Sequence, residues 1–373
     1  MNDEVLPEPD RIDGAPHPRE TPNLFGQNQA VEEFLGAYTS GRLHSGWLIS
    51  GPRGVGKATL AWKIATFLLA ETADDGLFGT PPPPTSLDVA PDHPDARLVQ
   101  SGAHPRLYVV RRPYDEKLGK LKTEITVDAV RGLKGFFHMS SADGGRRVVI
   151  VDAADELNRN AANAILKELE EPPERTTILL IAHQPSRLLP TIRSRCRALR
   201  CGPLGPDDLA QALAQADQHT DAPDALAALS GGSAGDAIRL MNHDGLALYA
   251  ELVQLFDGLP QLARPAALKL AESCAGKTAE VRYGMTLDLI DHLLARLARA
   301  GLMGEPASQG AMGEARLLAR LSPDDRAARA WAQVQQQLSA RARHGKAVNL
   351  DPAALILDII FQIEQTAQKI AAT

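Results

Sequence analysis

Short apolar runs alternate with helical stretches through the first half of this chain, and helical periodicity takes over after it. Val31, Phe34, Leu35 and Tyr38 recur at helical spacing and predict a helix over 28–41. The apolar run GWLIS (46–50), bounded by glycine, predicts a buried strand. A glycine-rich loop follows at 51–56, and KATLAWKIATFLLAE continues as a helix without a breaker. LYVV (107–110), the run ending at Asp152, and TTILLIAHQ read as further buried strands. Between them DEKLGKLKTEIT reads as an exposed charged loop or hairpin, and VDAVRGLKGFF (127–137) as a helix. RNAANAILKELEE is an amphipathic helix stopped by Pro172 and Pro173, and SRLLPTIRSRCRALRCG a short helix leading into a strand. Strands apolar throughout, alternating with helices, imply a parallel sheet covered on both faces.

Three stretches depart from this rhythm. Residues 1–23 are polar and proline-rich, with no apolar core for a signal peptide, and read as a flexible arm. Residues 72–106, rich in Pro, Asp and Gly, read as a long unstructured insert within an α/β domain spanning 24–202. After Gly202 come short helices punctuated by glycine and proline, a helical module at 203–242. From 245 to 373 nearly every segment has helical periodicity, as in NLDPAALILDIIFQIEQ, where Asp351 can cap and Pro352 sits in the first turn.

Composition narrows the function classes. With 373 residues, 44% hydrophobic and 23% charged, the chain is an ordinary globular protein of two or three domains. A net charge of -6 supplies no global field for nucleic acid or an anionic membrane. Cys196, Cys201 and Cys274 form no CxxC pair, which argues against a disulfide framework and fits a reducing, cytoplasmic setting.

The candidate chemistry begins at GPRGVGK (51–57). Glycines at Gly51, Gly54 and Gly56 let backbone N–H groups turn toward phosphate oxygens, and Lys57 can reach the outer phosphates. The following hydroxyl that would ligate Mg²⁺ is replaced by Ala58. Thr59 points about 100° away on the helix and is a poor substitute. Asp152 ends its strand where a carboxylate could hold Mg²⁺, but Ala153 stands where an acid would activate water. Asp155 and Glu156 read as the solvated start of a helix. Arg193, Arg195 and Arg197 cluster at the entry to a strand. An arginine there is either surface charge or a group that reaches a nucleotide held by a neighbouring subunit.

The ordered set LFGQ (24–27), GPRGVGK (51–57), GAHPRLYVV (102–110), ITVDAVRGL (125–133), NAANAILKELEEPP (160–173) and LLPTIRSRC (188–196) resembles the clamp-loader branch of AAA+ proteins. The resemblance runs from about residue 24 to 240 and implies a P-loop AAA+ domain, a helical lid and an all-α collar for oligomerisation. It implies that Arg195 is an arginine finger acting in trans, that Asp152 is the Walker B aspartate, and that Gly235 replaces the sensor-2 arginine. A subunit of this kind would be a non-hydrolysing, stator-like member of a DNA polymerase III loader, without ATPase or polymerase activity of its own. Its expected partners are the gamma/tau and delta subunits, and through them the sliding clamp and primed DNA. No cofactor would be required, and ATP or ADP would at most bind weakly at Gly51, Gly54, Gly56, Lys57 and Asp152. The alternative is a self-sufficient AAA+ ATPase, a loader motor or remodelling enzyme. Such subunits often carry a four-cysteine zinc module after the first helix. Residues 72–106 contain no cysteine, and His93 and His104 without further soft ligands make a poor zinc site, so no zinc is expected there and the insert is expected to be held by packing or partly disordered.

Overall fold

The computed structural model describes residues 7–70, 82–138 and 145–372. The chain runs α1 (Asn28–Thr39), β1 (Gly46–Ser50), α2 (Lys57–Leu69), α3 (Pro94–Gln100), β2 (Leu107–Arg111), a small hairpin of β3 (Tyr114–Asp115) and β4 (Lys120–Leu121), α4 (Val127–His138), β5 (Arg147–Asp152), α5 (Arg159–Glu170), β6 (Thr176–Ala182), α6 (Pro190–Arg193) and β7 (Arg197–Arg200). Helices follow: α7 (Pro206–Gln215), α8 (Pro223–Ser230), α9 (Ala234–Asn242), α10 (Gly245–Asp257), α11 (Arg264–Ser273), α12 (Glu280–Met303), α13 (Glu314–Leu321), α14 (Asp325–Ala347) and α15 (Pro352–Ala371).

Five strands form one parallel sheet in the order β2-β5-β6-β1-β7. Alternation along each central strand sorts side chains to the two faces. Trp47, Ile49, Val148, Ile150, Leu179 and Ile181 meet α1, α2 and Val99 of α3 on one face. Leu48, Val149, Val151, Ile178 and Leu180 meet α4, α5 and Ile192 on the other. This is the parallel sheet covered on both faces that the apolar runs predict, with helical segments after it.

The chain divides into two compact units: Met1–His219 with Gly232–Ile238, and Thr220–Gly231 with Arg239–Thr373. The expected limits at 202 and 242 fall inside these units. In particular, α7 belongs to the first unit and α8 to the second, while α9 begins in the first and ends in the second. The second unit packs α12 lengthwise against α14, with Trp331 fully buried and its indole N–H donating to the Leu321 carbonyl at 2.8 Å. Glu314, also fully buried, accepts from Tyr249, Arg296 and the Gly310 N–H, so the loop before α13 is pinned by a satisfied carboxylate.

Two expectations need correction. Residues 7–23 are not a loose arm: His17 is fully buried, edge-on to Trp62 at 5.7 Å, and Glu8 and Asp10 pair with Arg111 at 2.9 and 3.2 Å. Ion pairs rather than apolar periodicity hold this segment down. The insert is likewise ordered where it is described (82–106); residues 72–81 lie outside the described residues. Its helix α3 is capped by His93, whose Nδ1 accepts from the Asp95 N–H, and Pro94 occupies the first turn. His104, buried, places Nε2 3.1 Å from Asp95. The two histidines thus anchor a turn of helix, and among the described residues no His/Cys/Asp/Glu group is arranged to hold a metal ion.

Candidate functional site

The glycine loop leaves the C-terminal end of β1 and opens α2, the expected strand-loop-helix setting. Gly51 takes φ 150°, and a Cβ there would lie 2.1 Å from the Cys201 carbonyl oxygen, so the exit of β7 passes directly against the loop. Gly54 takes φ 69°, and a Cβ would lie 2.2 Å from Ser233 Oγ. Gln27, the last residue of LFGQ, is buried beneath the loop. Its amide donates to the Val55 and Gly202 carbonyls at 3.0 and 2.9 Å and accepts from the Gly202 N–H at 3.1 Å. Sequence reasoning gave Gln27 no role; here it ties the loop to the end of the sheet.

Lys57, the first residue of α2, is buried, and its ammonium donates to the Pro52 carbonyl within the loop. Burial pulls its pKa down to about 8, although Asp152 and Asp155 nearby oppose this. Ala58 packs its methyl against the core beneath α2 instead of offering a hydroxyl. Asp152 stands at the end of β5, opposite Arg111 of β2 and Ile181 of β6. Burial raises its carboxyl to about 7, and the carboxylates of Asp10 and Glu156 add to the effect. Ala153 is buried and brings no acid.

Asp155 and Glu156 do not form a solvated helix start. Asp155 is buried and its two oxygens accept from the backbone N–H groups of His183 and Gln184 at 3.1 and 3.0 Å, which fastens the exit of β6. Glu156 bridges Arg53 of the loop at 3.1 Å and Arg112 at 2.8 Å. The intervening 3-10 turn (Ala154–Glu156) aims both side chains inward, a geometry that sequence periodicity does not encode. His183 follows β6, whose last residue pairs with Ser50 just before the loop. Burial, then Lys57 and Arg53, hold its pKa near 4, so it is a neutral imidazole at the loop. The apolar run before it hid this residue from sequence reading.

The arginine cluster lies at the other end of the sheet. Arg195 precedes β7, and its carbonyl oxygen lies 3.1 Å from where a Cβ on Gly46 would be, at the first residue of β1. Gly51 is five residues further along, so the Arg195 backbone and the loop are separated by about 16 Å at about 3.3 Å per residue. Its guanidinium pairs with Glu170 at 2.9 Å and donates to the Thr191 carbonyl at 3.1 Å. Arg197 lies over the Trp47 ring at 5.3 Å, and Arg193 is exposed. The expected site residues thus separate into Gly51, Gly54, Gly56, Lys57 and Asp152 at one end and Arg195 at the other. Half-buried Cys196 and buried Cys201 flank β7 as free thiols, pushed up by burial to about 12 and about 11.

A sequence profile described as "DNA polymerase III, delta subunit" matches residues 26–204, the stretch that holds both ends. DNA polymerase III subunit delta' of Pseudomonas aeruginosa is 38% identical over 255 residues, covering 67% of this chain and 71% of that relative. The chain belongs to the DNA polymerase III delta-prime family. The delta-prime subunit of Escherichia coli (strain K12) is 33% identical over 216 residues, 57% of this chain and 59% of its own length. Among solved structures, a DNA polymerase III gamma subunit-related protein of Thermotoga maritima aligns over 92% of this chain and all of its own, at 17% identity and a TM-score of 0.37. Membership of the delta-prime family places the loop and Arg195 in a replication protein. Among the described residues no helix is long and apolar enough to cross a membrane.

Proposed function

We propose that this chain is a stator-like subunit of the DNA polymerase III clamp loader, which does not hydrolyse ATP and lends Arg195 in trans to the nucleotide of a neighbouring ATPase subunit. Its partners on this reading are the gamma/tau and delta subunits, and the assembly acts on the sliding clamp and primed DNA. One observation carries the proposal: Arg195 stands at the opposite end of the sheet from its own phosphate loop, beside the edge strand β7. It cannot serve that loop, yet it is half exposed and held by an exposed carboxylate. At its own loop, Ala58 offers no metal ligand, Ala153 no base, and Gly235 no cation. ATP or ADP would at most bind there weakly, without turnover, and no cofactor is required.

The test is ATP turnover by the purified chain, then by the reconstituted loader carrying Arg195→Ala. Background turnover by the chain alone and a clear loss of clamp- and DNA-stimulated turnover in the variant complex are expected. Vigorous hydrolysis by the isolated chain would favour the self-sufficient ATPase. Full activity of the variant complex would remove the finger.

A further inference from the structure

Residues 8–23 touch the nucleotide end of the first unit at successive points. At the β2 side, Arg111, the last residue of that strand and the neighbour of Asp152, holds both Glu8 and Asp10. The Asp10 side chain is 2% exposed, and its Oδ2 lies 3.1 Å from His17 Nε2. His17 Nδ1 accepts from the Arg19 N–H at 3.1 Å, which leaves Nε2 to carry the proton toward Asp10. The His17 ring then meets Trp62 of α2, the helix that the phosphate loop opens. Arg19 returns to Glu8 at 2.8 Å and closes the segment on itself.

At the far side the segment is tied to α7 and the turn after it. Gln218 donates to the Gly14 carbonyl at 2.9 Å, and Asn23 and Gln215 exchange two hydrogen bonds at 2.9 and 3.0 Å. Between these ties, Ile12 lies against Gly235, its Cδ1 2.8 Å from where a Cβ would stand. The Gly235 N–H donates to the Gly54 carbonyl at 3.1 Å, at the crest of the phosphate loop. A path from Arg111, over α2 and Gly235, to Gln215 crosses the end of the sheet where the loop sits.

We propose that residues 8–23 are a strap across the phosphate loop, and that a nucleoside di- or triphosphate reaches Lys57 only when the strap lifts. The inference rests on the reading of this loop as a degenerate nucleotide site and adds a steric reason for its silence. The strap presents Asp10 and Ile12 at a site where a phosphate ligand needs cations and free N–H groups. Gly235 permits the contact: a side chain at that position would collide with Ile12 and with the Gly54 backbone.

The experiment uses the full chain and a fluorescent mant-ADP probe followed by anisotropy. Asp10→Asn combined with Ile12→Ala is expected to bind the probe at least about tenfold more tightly than the unaltered chain, and Ile12→Ala alone by a smaller factor. Ile12 is partly exposed, so its truncation leaves the core intact if the double variant does not fold. In the unaltered chain, saturating ADP is expected to speed amide exchange over residues 8–20. Equal affinities with unchanged exchange over the strap would overturn the proposal. So would a lack of binding by every chain at millimolar probe, because opening the strap would then uncover no site. The stator reading is judged separately, by Arg195 in the reconstituted loader, so either can fail alone.

Discussion

At the C-terminal end of the sheet, polar groups are committed to internal partners: Lys57 to its own loop, Asp155 to the exit of β6, Glu156 to two arginines and Asp10 to Arg111. At the N-terminal end Arg195 has one exposed carboxylate and one carbonyl. Exposed ion pairs are worth about 0–1 kcal/mol, so Arg195 can exchange Glu170 for a better anion at little cost. Freeing Lys57 or Asp155 means breaking buried bonds, each costing about 1–3 kcal/mol if left unmade. Availability to a partner follows from how cheaply a group leaves its present one. By that measure the arginine end faces outward and the loop end is closed on itself.

The comparison can be broken most sharply at Arg195. Arg195→Ala should slow hydrolysis at the neighbour's site by about 10³- to 10⁵-fold, the range seen for such fingers in GTPases, with a smaller fall in total turnover because a loader has several sites. Single-site kinetics in the reconstituted complex measure this. Arg195→Lys should recover little, because an ammonium lacks the planar fork.

Asp152→Asn tests the crowding at the other end. The Asp152 carboxyl is raised from 3.8 to about 7, by burial first and then by Asp10 and Glu156. A raised carboxyl favours the protonated folded form. It has no effect below pH 3.8, and a growing cost appears as pH rises toward 7. The amide should therefore stabilise the chain at pH 8 by on the order of 4 kcal/mol and hardly at all at pH 4. Urea denaturation at the two pH values would show it, and equal effects at both would mean that the carboxylates do not crowd.

Gly54→Ala probes the contact between loop and α9. With φ 69° and Ser233 Oγ 2.2 Å from the new methyl, a loss of about 1–3 kcal/mol is expected in thermal denaturation. The smallest effect belongs to Glu170→Ala, at most about 1 kcal/mol in urea denaturation, with loader turnover retained. A loss above about 2 kcal/mol there would make Arg195 a structural residue.

Periodic apolar runs made the layered fold readable in advance. GWLIS, the run ending at Asp152 and TTILLIAHQ each became a central strand with side chains sorted to both faces. The helix α3 escaped notice because seven residues show little periodicity and its cap is a histidine. Residues 7–23 escape such a reading for a related reason: they are held by Glu8, Asp10 and His17, polar residues that composition assigns to solvent. At the site, Gly51, Gly54, Gly56 and Lys57 were legible because a phosphate loop is set by local spacing. Gln27, His183 and the inward turn of Asp155 were not, because their partners lie far along the chain and meet only through the topology of the sheet.

Gln27 bears on the ancestry of such a loop. Its amide is needed as donor and acceptor at once, so neither Glu nor Leu can replace it without leaving a backbone group bare. Its hydrogen bonds are made within the chain and hold the loop without a bound ligand. On the proposed non-hydrolysing reading, positions such as Ala58 and Ala153 are free to change, while Gln27 still holds the loop in shape. The outline of an ancestral site can thus persist for as long as the protein must fold.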